Sequence, residues 1–582
     1  MLSRKFHKRR RSILALSLST IMLISCAPTA DPGASGETSS NAGGQAMDAE
    51  IVEFNPGGTY PICKEKVTLT IGIPDNIRIE DYETNWLTQQ LEERGNFDLV
   101  FETYPSSEYA TKLNLIIQSG TDKLPDILVT NSVDETMITT WAQAGAIIPV
   151  TEYYKDPNAS WHISKAIEKC GVDITRQMTQ PDGEIYALPS YVQNAANEYF
   201  QRLWIYEPWL EELEMEVPTT TEEFRELLRA VVSSDLNGNG KADEIGLLGV
   251  PVGAGAYEGW FTYLMNSFIY ISGNSQFYVD ETDGSFKAAY MQEEYKEGLK
   301  YIRSLFEEGL IPEVTLTQDS NSFNTMVSSA DTSVFSMVYS APDAIATTHE
   351  AYGKYIAVLP LEGPDGVRYM HYNPANAITG MVITSSCKNP EAAFRLGDLM
   401  CSEELSIAQR WGAHGVDWDY VTDIEDFDPE LYSPQVAGAE MLFVPYDDDN
   451  FWGGTAVNNG SWRNQGATIR PAYIAHGRTG SAESNTEYYE HFKESIALYY
   501  ESGLQNPNHV GRINLSAEES ELIAEQKVLL DDYVASMTSQ FLAGVLDIDD
   551  QWDTYLQEIE KLGVTKIIEV YKDAYERMYG AE

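Results

Sequence analysis

Between Val67 and Ile73 the residues run Val-Thr-Leu-Thr-Ile-Gly-Ile, alternating apolar and small at the two-residue period of a strand with two distinct faces. A helix is expected over Trp86 to Glu93, and a second over Ser107 to Ser119 carries Leu113, Ile116 and Ile117 on one face. Leu124-Pro-Asp-Ile-Leu-Val-Thr130 then reads as a short buried strand with a polar exit at Asn131. Strand, helix, strand in this order joins parallel strands by crossovers, which makes the fold class α/β. Sheets of this kind bind ligands beyond the carboxyl ends of their strands, so Asn131 and Ser132 are placed at a cleft edge, although the polarity of any loop accounts for them equally. Roughly 515 residues follow the N-terminal tether described next, too many for one core, and two lobes are expected.

The chain opens with a cationic stretch, Arg4 to Arg11, followed by the apolar run Ile13 to Ile24. That is the layout of a secretion signal, and a run of about a dozen residues falls short of the ~20 needed to span a bilayer. Residues 1–25 are therefore assigned to a signal peptide. Residues 26–65 are assigned to Cys26 and a tether, because Ala27 to Asp48 is almost wholly small or polar and cannot bury enough apolar surface to order itself. Removing the six leader cations leaves 33 basic against 89 acidic side chains, a formal charge of −56. Phosphate backbones need a basic field, so nucleic acid is excluded as a partner. Cys63, Cys170, Cys387 and Cys401 form no Cys-x-x-Cys pair; isolated thiols are expected, with a Cys387–Cys401 bridge as the alternative.

Asp235-Leu-Asn237-Gly-Asn239-Gly240-Lys241-Ala-Asp243-Glu244 sets oxygen donors at alternate positions with glycine at the sixth, which lets a short loop curl around a hard cation such as Ca²⁺. A helix capped by Thr220 and Glu223, with Phe224, Leu227, Leu228 and Val231 on one face, enters it. The twelfth position, a bidentate glutamate in an EF-hand, is Gly246 here, and the next segment has the pattern of a strand. An Asn-Gly turn on an acidic surface is the plainer account of the same residues.

Eleven tryptophans and 35 tyrosines supply apolar ring faces of the sort that hold uncharged sugars. Trp86, Tyr191, Trp260, Trp411, Trp418, Trp452 and Trp462 are the candidates for that role, while Trp204 and Trp209 are assigned to packing. Catalysis finds no support: Gly-x-Ser-x-Gly and His-Glu-x-x-His are absent and the eight histidines are scattered. Two facing carboxylates, as in a glycoside hydrolase, can always be imagined among 89 acids, so their abundance decides nothing.

Several segments, in this order, resemble the extracellular solute-binding proteins of ABC importers, in the maltose-binding-like branch. They are Gly120 to Ile127; Gly183-Glu-Ile-Tyr186-Ala-Leu188-Pro189-Ser-Tyr191 leading to Leu203-Trp-Ile-Tyr206; Asn373 to Ile378 with Thr384 to Ala393; and Phe541 to Gly544 with Trp552 to Tyr555 and Ala574 to Arg577. The Leu23-Ile-Ser-Cys26 junction likewise resembles the bacterial lipoprotein box, which implies acylation of Cys26 and anchoring to the outer face of the cell membrane. The resemblance implies a periplasmic-binding-protein-like fold, two α/β lobes with a hinge and an interlobe cleft, the first holding residues 66–190 and 341–385 and the second 191–340 and 386–582. It implies a monomeric carrier that captures an oligosaccharide by closure and delivers it to permease subunits. A peptide or other non-sugar solute is the alternative, and a secreted glycoside hydrolase a remoter one. The loop at 235–244 is similar to the calcium loop of alginate-binding relatives, in which Asp243 and Glu244 supply the acids and Lys241 only its carbonyl. The turn Trp411-Gly-Ala-His-Gly-Val-Asp-Trp418 matches one that the family sets beside the cleft.

Overall fold

The computed structural model describes residues 52–253, 257–272, 276–280, 282–329, 334–342, 344–423, 443–445, 459–475, 477, 487–504 and 509–580. Cys26, most of the tether and Trp452 lie outside them. In chain order the strands are β1 (Val67–Pro74), β2 (Phe97–Tyr104), β3 (Ile127–Val129), β4 (Ala187–Val192), β5 (Arg202–Tyr206), β6 (Ile245–Leu247) and β7 (Phe277–Val279). They continue as β8 (Phe286–Ala288), β9 (Val334–Tyr339), β10 (Tyr355–Val358), β11 (Ile378–Ile383), β12 (Trp418–Tyr420), β13 (Phe443–Pro445) and β14 (Thr468–Arg470).

Six strands form one sheet in the order β14-β4-β11-β3-β1-β2, and four form a second in the order β10-β5-β9-β6. β1 pairs in parallel with β2 and β3, Val67 opposite Phe97 and Ile71 opposite Ile127. β11 runs against both β3 and β4, so it begins where they end. The alternation read in Val67–Ile73 has a physical counterpart, since Val67, Leu69, Ile71 and Ile73 are buried in the first core while Thr68 is exposed. In the second lobe the helix Thr221–Val232 buries Phe224, Leu227, Leu228 and Val231, and its capping box is formed by Thr220 and Glu223.

The chain crosses between the sheets from β4 to β5, from β10 to β11, and after β14 into the helix Glu487–Glu501, whose Ile496 and Tyr499 pack beside the crossing residues Ala195, Tyr199 and Met370. The division of the chain differs from that expected. β10 belongs to the second sheet, where Tyr355 faces Tyr206. The helices Pro390–Met400 and Glu403–Trp411 bury Phe394, Leu396, Leu399 and Leu405 in the first core, and β14 lies parallel to β4. Residues 390–411 and 468–470 thus contribute to the first lobe, because the apolar side chains of these helices are buried in the first core and β14 pairs with β4. Cys63, Cys170, Cys387 and Cys401 are free thiols, so no Cys387–Cys401 bridge forms.

Candidate ligand cleft

The carboxyl ends of β3 and β4 meet the amino end of β11, where Ile378 faces Ser190. Residues that leave this edge are Asn131, Glu135 at the start of the helix Glu135–Gln143, and the crossing segment 373–377. In the second sheet the carboxyl end of β6 leads through Val252 and Gly253 to Glu258 and the helix Gly259–Met265. A cavity of about 740 Å³ lies where these edges meet. Glu135, Asn373, Asn376 and Ile378 reach it from one side, and Gly253, Glu258, Phe261 and Thr262 from the other. The C-terminal segment closes it with Arg512, Asp531 and Tyr571, beside Phe277, Tyr290 and Tyr295. The rings of Phe277 and Tyr571 are 5.0 Å apart at 32°. Aromatic faces bordered by carboxylates, amides and an arginine form the lining that suits a polyhydroxylated ligand.

The charges at the cavity are tied down. Arg512 Nη2 lies 2.8 Å from Glu135 Oε2, Arg512 Nε donates to Asn514 Oδ1 at 2.8 Å, and Nη1 donates to the Ala377 carbonyl. The other oxygen of Glu135 accepts from Thr379 N at 3.1 Å. His509 shares a hydrogen bond of 3.0 Å with the Tyr270 hydroxyl, and burial holds the imidazole down to about 4, so it is neutral at neutral pH.

The aromatic candidates from the sequence are elsewhere, and none of those described lines this cavity. Trp260, Trp418 and Trp462 are fully buried; their indole N–H groups donate to Val250 O (2.8 Å), Gly412 O (2.9 Å) and Thr88 Oγ1 (2.9 Å). Tyr191 lies inside the first core, and Trp411 is buried with the Arg470 guanidinium 5.2 Å from its ring. The expectation that these five offer ring faces to a ligand is corrected, since each face is already covered by protein. Trp86 is half-buried at the first position of the helix that follows β1, its backbone N–H bonded to Asn459 O at 2.9 Å. Asn131 donates to Gly466 O at 3.1 Å and accepts from Gly466 N at 2.6 Å, pinning the approach to β14 at the carboxyl edge of the sheet. The residues that sequence reasoning missed are Phe277, Tyr290, Tyr571, Asn373, Asn376 and Arg512. Asn373-Pro-Ala-Asn376 carried a signal, two amides in a crossing between strands.

The 235–244 loop joins the helix Thr221–Val232 to β6 with Gly238 and Gly240 at φ +70° and +87°. Those left-handed values are what the glycine positions require. Gly240 N donates to Asp235 Oδ2 at 2.9 Å, and Asn239 Nδ2 to Asp243 Oδ1 at 2.9 Å. That amide contact, helped by Asn237 and by the nearby Lys241 charge, holds the Asp243 carboxyl below its ordinary range. Glu244 is buried; its Oε1 accepts from Leu236 N and Asn237 N at 2.6 and 2.9 Å, while its Oε2 is enclosed without a hydrogen-bond donor. A buried carboxylate oxygen without a donor, in a loop that also carries Asp235, Asn237, Asn239 and Asp243, is an acceptor of the kind a hard cation would satisfy. Lys241 is exposed, and toward a cation it has only its backbone carbonyl to offer.

A family model described as bacterial extracellular solute-binding protein matches residues 80–405. The fructooligosaccharide ABC transporter substrate-binding protein FusA of Streptococcus pneumoniae serotype 4 is 26% identical over 532 residues, 90% of this chain and 92% of that protein. A structure of the FusA EF-hand mutant in complex with fructo-nystose superposes with a TM-score of 0.67 at 23% identity, covering 88% of this chain and all of that one. An HMO-binding ABC-transporter-associated solute-binding protein from Bifidobacterium longum infantis gives 0.72 at 20% identity, over 89% of this chain and all of that one. The alginate-binding protein AlgQ2, solved without calcium ion, gives 0.62 at 19%, over 90% of this chain and all of that one.

Proposed function

The chain belongs to the bacterial extracellular solute-binding proteins, and from that premise we propose that it captures an oligosaccharide between its lobes and hands it to an ABC permease. The observation that carries this reading is the cavity of about 740 Å³ at the carboxyl ends of strands from both sheets, lined by aromatic rings, carboxylates and amides. A ligand touching both lobes favours the closed arrangement by the difference in its affinity for closed and open forms. Phe277 and Tyr571 are the stacking surfaces, Asn373, Asn376 and Glu258 the hydroxyl partners, and Trp86 and Asn131 border the same edge as outlying contacts. The sugar-named relatives support this choice of solute over a peptide. The protein acts as a carrier without turnover, as a monomer.

Ca²⁺ would be held by Asp235, Asn237, Asn239, Asp243 and Glu244 with the Lys241 carbonyl, joining the end of one helix to β6 and stiffening the second lobe. The EF-hand mutant of FusA supports a metal loop in a relative. Cys26 carries the lipid that keeps the receptor at high local concentration beside its permease on the outer face of the membrane. Among the described residues no helix is long and apolar enough to cross a membrane.

A thermal-shift screen of the mature protein over neutral and acidic saccharides and over peptides tests the reading. A matching oligosaccharide at 100 times its Kd should stabilise the fold by about 2.7 kcal/mol. Stabilisation by peptides alone overturns the sugar assignment, and release of reducing ends from any saccharide overturns the carrier.

A further inference from the structure

We propose that His414, Asp419 and Asp423 form a second metal site, separate from the 235–244 loop and suited to a first-row divalent ion such as Zn²⁺. The three side chains bring one ligand atom each within 4.8 Å of one another. His414 Nε2 is 3.4 Å from Asp419 Oδ1 and 3.7 Å from Asp423 Oδ2. Both separations exceed the usual ~2.9 Å of an N–H···O bond. They instead approach the roughly 3.3 Å between neighbouring donors around a tetrahedral ion with bonds of about 2.0–2.1 Å. One imidazole nitrogen is thus set between two carboxylates at ligand spacing.

The surroundings fix that nitrogen in place. The His414 ring stacks on the buried Trp418 at 4.7 Å and 24°, and Tyr420 meets its face edge-on at 5.1 Å. Gly415, at φ +79°, turns the chain so that β12 returns Asp419 to the histidine, and the single 3-10 turn Val421–Asp423 brings Asp423 to the same side. The other ring nitrogen, Nδ1, faces Glu404 Oε1 at 4.0 Å. Glu404 is itself gripped by Arg94, Nη1 to Oε2 at 3.0 Å and Nη2 to Oε1 at 2.9 Å. At 4.0 Å this carboxylate makes no hydrogen bond to the ring and stands as a charge behind it, while Nε2 is the nitrogen nearer the two aspartates. One imidazole and two carboxylates suit Zn²⁺ or Co²⁺ better than Ca²⁺, which prefers oxygen donors only. Asp423 is half-exposed, so water can fill the fourth position. The ion would clamp the turn after the helix Glu403–Trp411 onto β12, on the first lobe and apart from the sugar cavity.

The test uses the mature, Ca²⁺-loaded protein and Co²⁺ as the probe. The expected result is one equivalent of Co²⁺ giving the strong visible bands of a tetrahedral site, displaced by Zn²⁺. Asp423→Asn, at the exposed end of the turn, and His414→Gln should each abolish the bands and weaken binding by more than the roughly 10–100-fold that outer-shell changes alone can cause. Glu404→Gln should keep the bands and weaken binding by less than about tenfold, since Glu404 makes no hydrogen bond to the ring. Asp235→Asn should leave the signal intact. If Asp423→Asn, folded by circular dichroism, retains the full signal, or if the unaltered protein takes up Co²⁺ only at millimolar levels, the site is refuted.

Discussion

Arg512 and Glu135 meet at 2.8 Å, joining the segment ahead of the C-terminal helices to the helix that leaves the carboxyl end of β3. The two residues are 377 positions apart in sequence, yet both border the same cavity. Arg512 side-chain exposure is only 11%, so its charge depends on that carboxylate and on the Ala377 carbonyl for compensation. The contact therefore ties the second lobe's C-terminal segment to the edge of the first sheet while forming part of the cavity wall.

A double-mutant cycle on Arg512→Ala and Glu135→Gln should give a coupling energy of about 0.5–3 kcal/mol in urea unfolding. Arg512→Ala alone should also change ligand affinity. Strict additivity of the two substitutions would show that the ion pair contributes nothing to holding the lobes.

Core and cavity aromatics should separate in their effects. Trp260→Ala removes a fully buried ring and should cost about 3–5 kcal/mol in stability. Phe277→Ala should cost far less stability but weaken oligosaccharide binding by about 0.5–1.5 kcal/mol, roughly two- to twelvefold. Calorimetric titration beside urea melts reads both quantities, and an unchanged Kd for Phe277→Ala would remove that ring from the ligand contacts.

Stability should fall on acidification. Burial holds His162, His371 and His509 each down to about 4, with the charges of Lys165 and His509 adding to the shift at His162 and His371 respectively. The unfolded chain titrates these imidazoles near 6.5, so it binds more protons, and their contribution is complete above about pH 6.5 and lost as pH falls to about 4. Asp398 opposes this. Burial raises its carboxyl to about 7 against the pull of the Ile163 and His162 backbone N–H groups and of Arg395. Its contribution is complete below the unfolded carboxylate value of about 3.9 and lost as pH rises to about 7. Asp398→Asn should therefore steepen the loss between about pH 6.5 and 4, and His371→Gln should flatten it, in urea midpoints followed across that range.

Chelation should lower the melting temperature of the intact protein, and Ca²⁺ should restore it, the gain being about 2.7 kcal/mol at 100 times Kd. Glu244→Gln or Asp235→Asn should make the protein insensitive to added Ca²⁺. A melting curve indifferent to chelator would leave the loop as a hydrogen-bonded turn.

Cys26→Ala should release a folded, ligand-competent protein into the medium, measured as antigen in the supernatant. Retention on the membrane would mean that something other than a lipid on Cys26 holds the chain there.

Local pattern carried much of the fold. The strand at Val67–Ile73, the helix at Trp86 and the capping box at Thr220 appear as β1, the helix Trp86–Gly95 and the helix Thr221–Val232, because each depends on neighbours within a few residues. The expected helix over Ser107 to Ser119 begins at Tyr109, after a 3-10 turn. The partition of the lobes was not legible, since the docking of Pro390–Trp411 on the first sheet and the pairing of β14 with β4 are set by partners some 200 residues or more away. The site failed for a related reason. Tryptophan is large enough to be the residue that fills a core, and Trp260, Trp418 and Trp462 do so, whereas the cavity rings come from β7 and the helix Val564–Tyr579, which no local period connects.

β14 has a temporal consequence. The parallel neighbour of β4 is supplied by Thr468–Arg470, so a growing chain has to reach residue 470 of 582 before the first sheet can acquire its outer edge. Until then β4 offers an unpaired rim, although the lobe it belongs to begins nearest the N-terminus. Pairings of such long sequence separation close slowly, and the unfinished rim is a place where a second unfinished chain can add. Neither lobe can therefore close soon after its first strand is made: the first waits for residue 470, and the second for the C-terminal helices that set Ile523 to Val570 in its core.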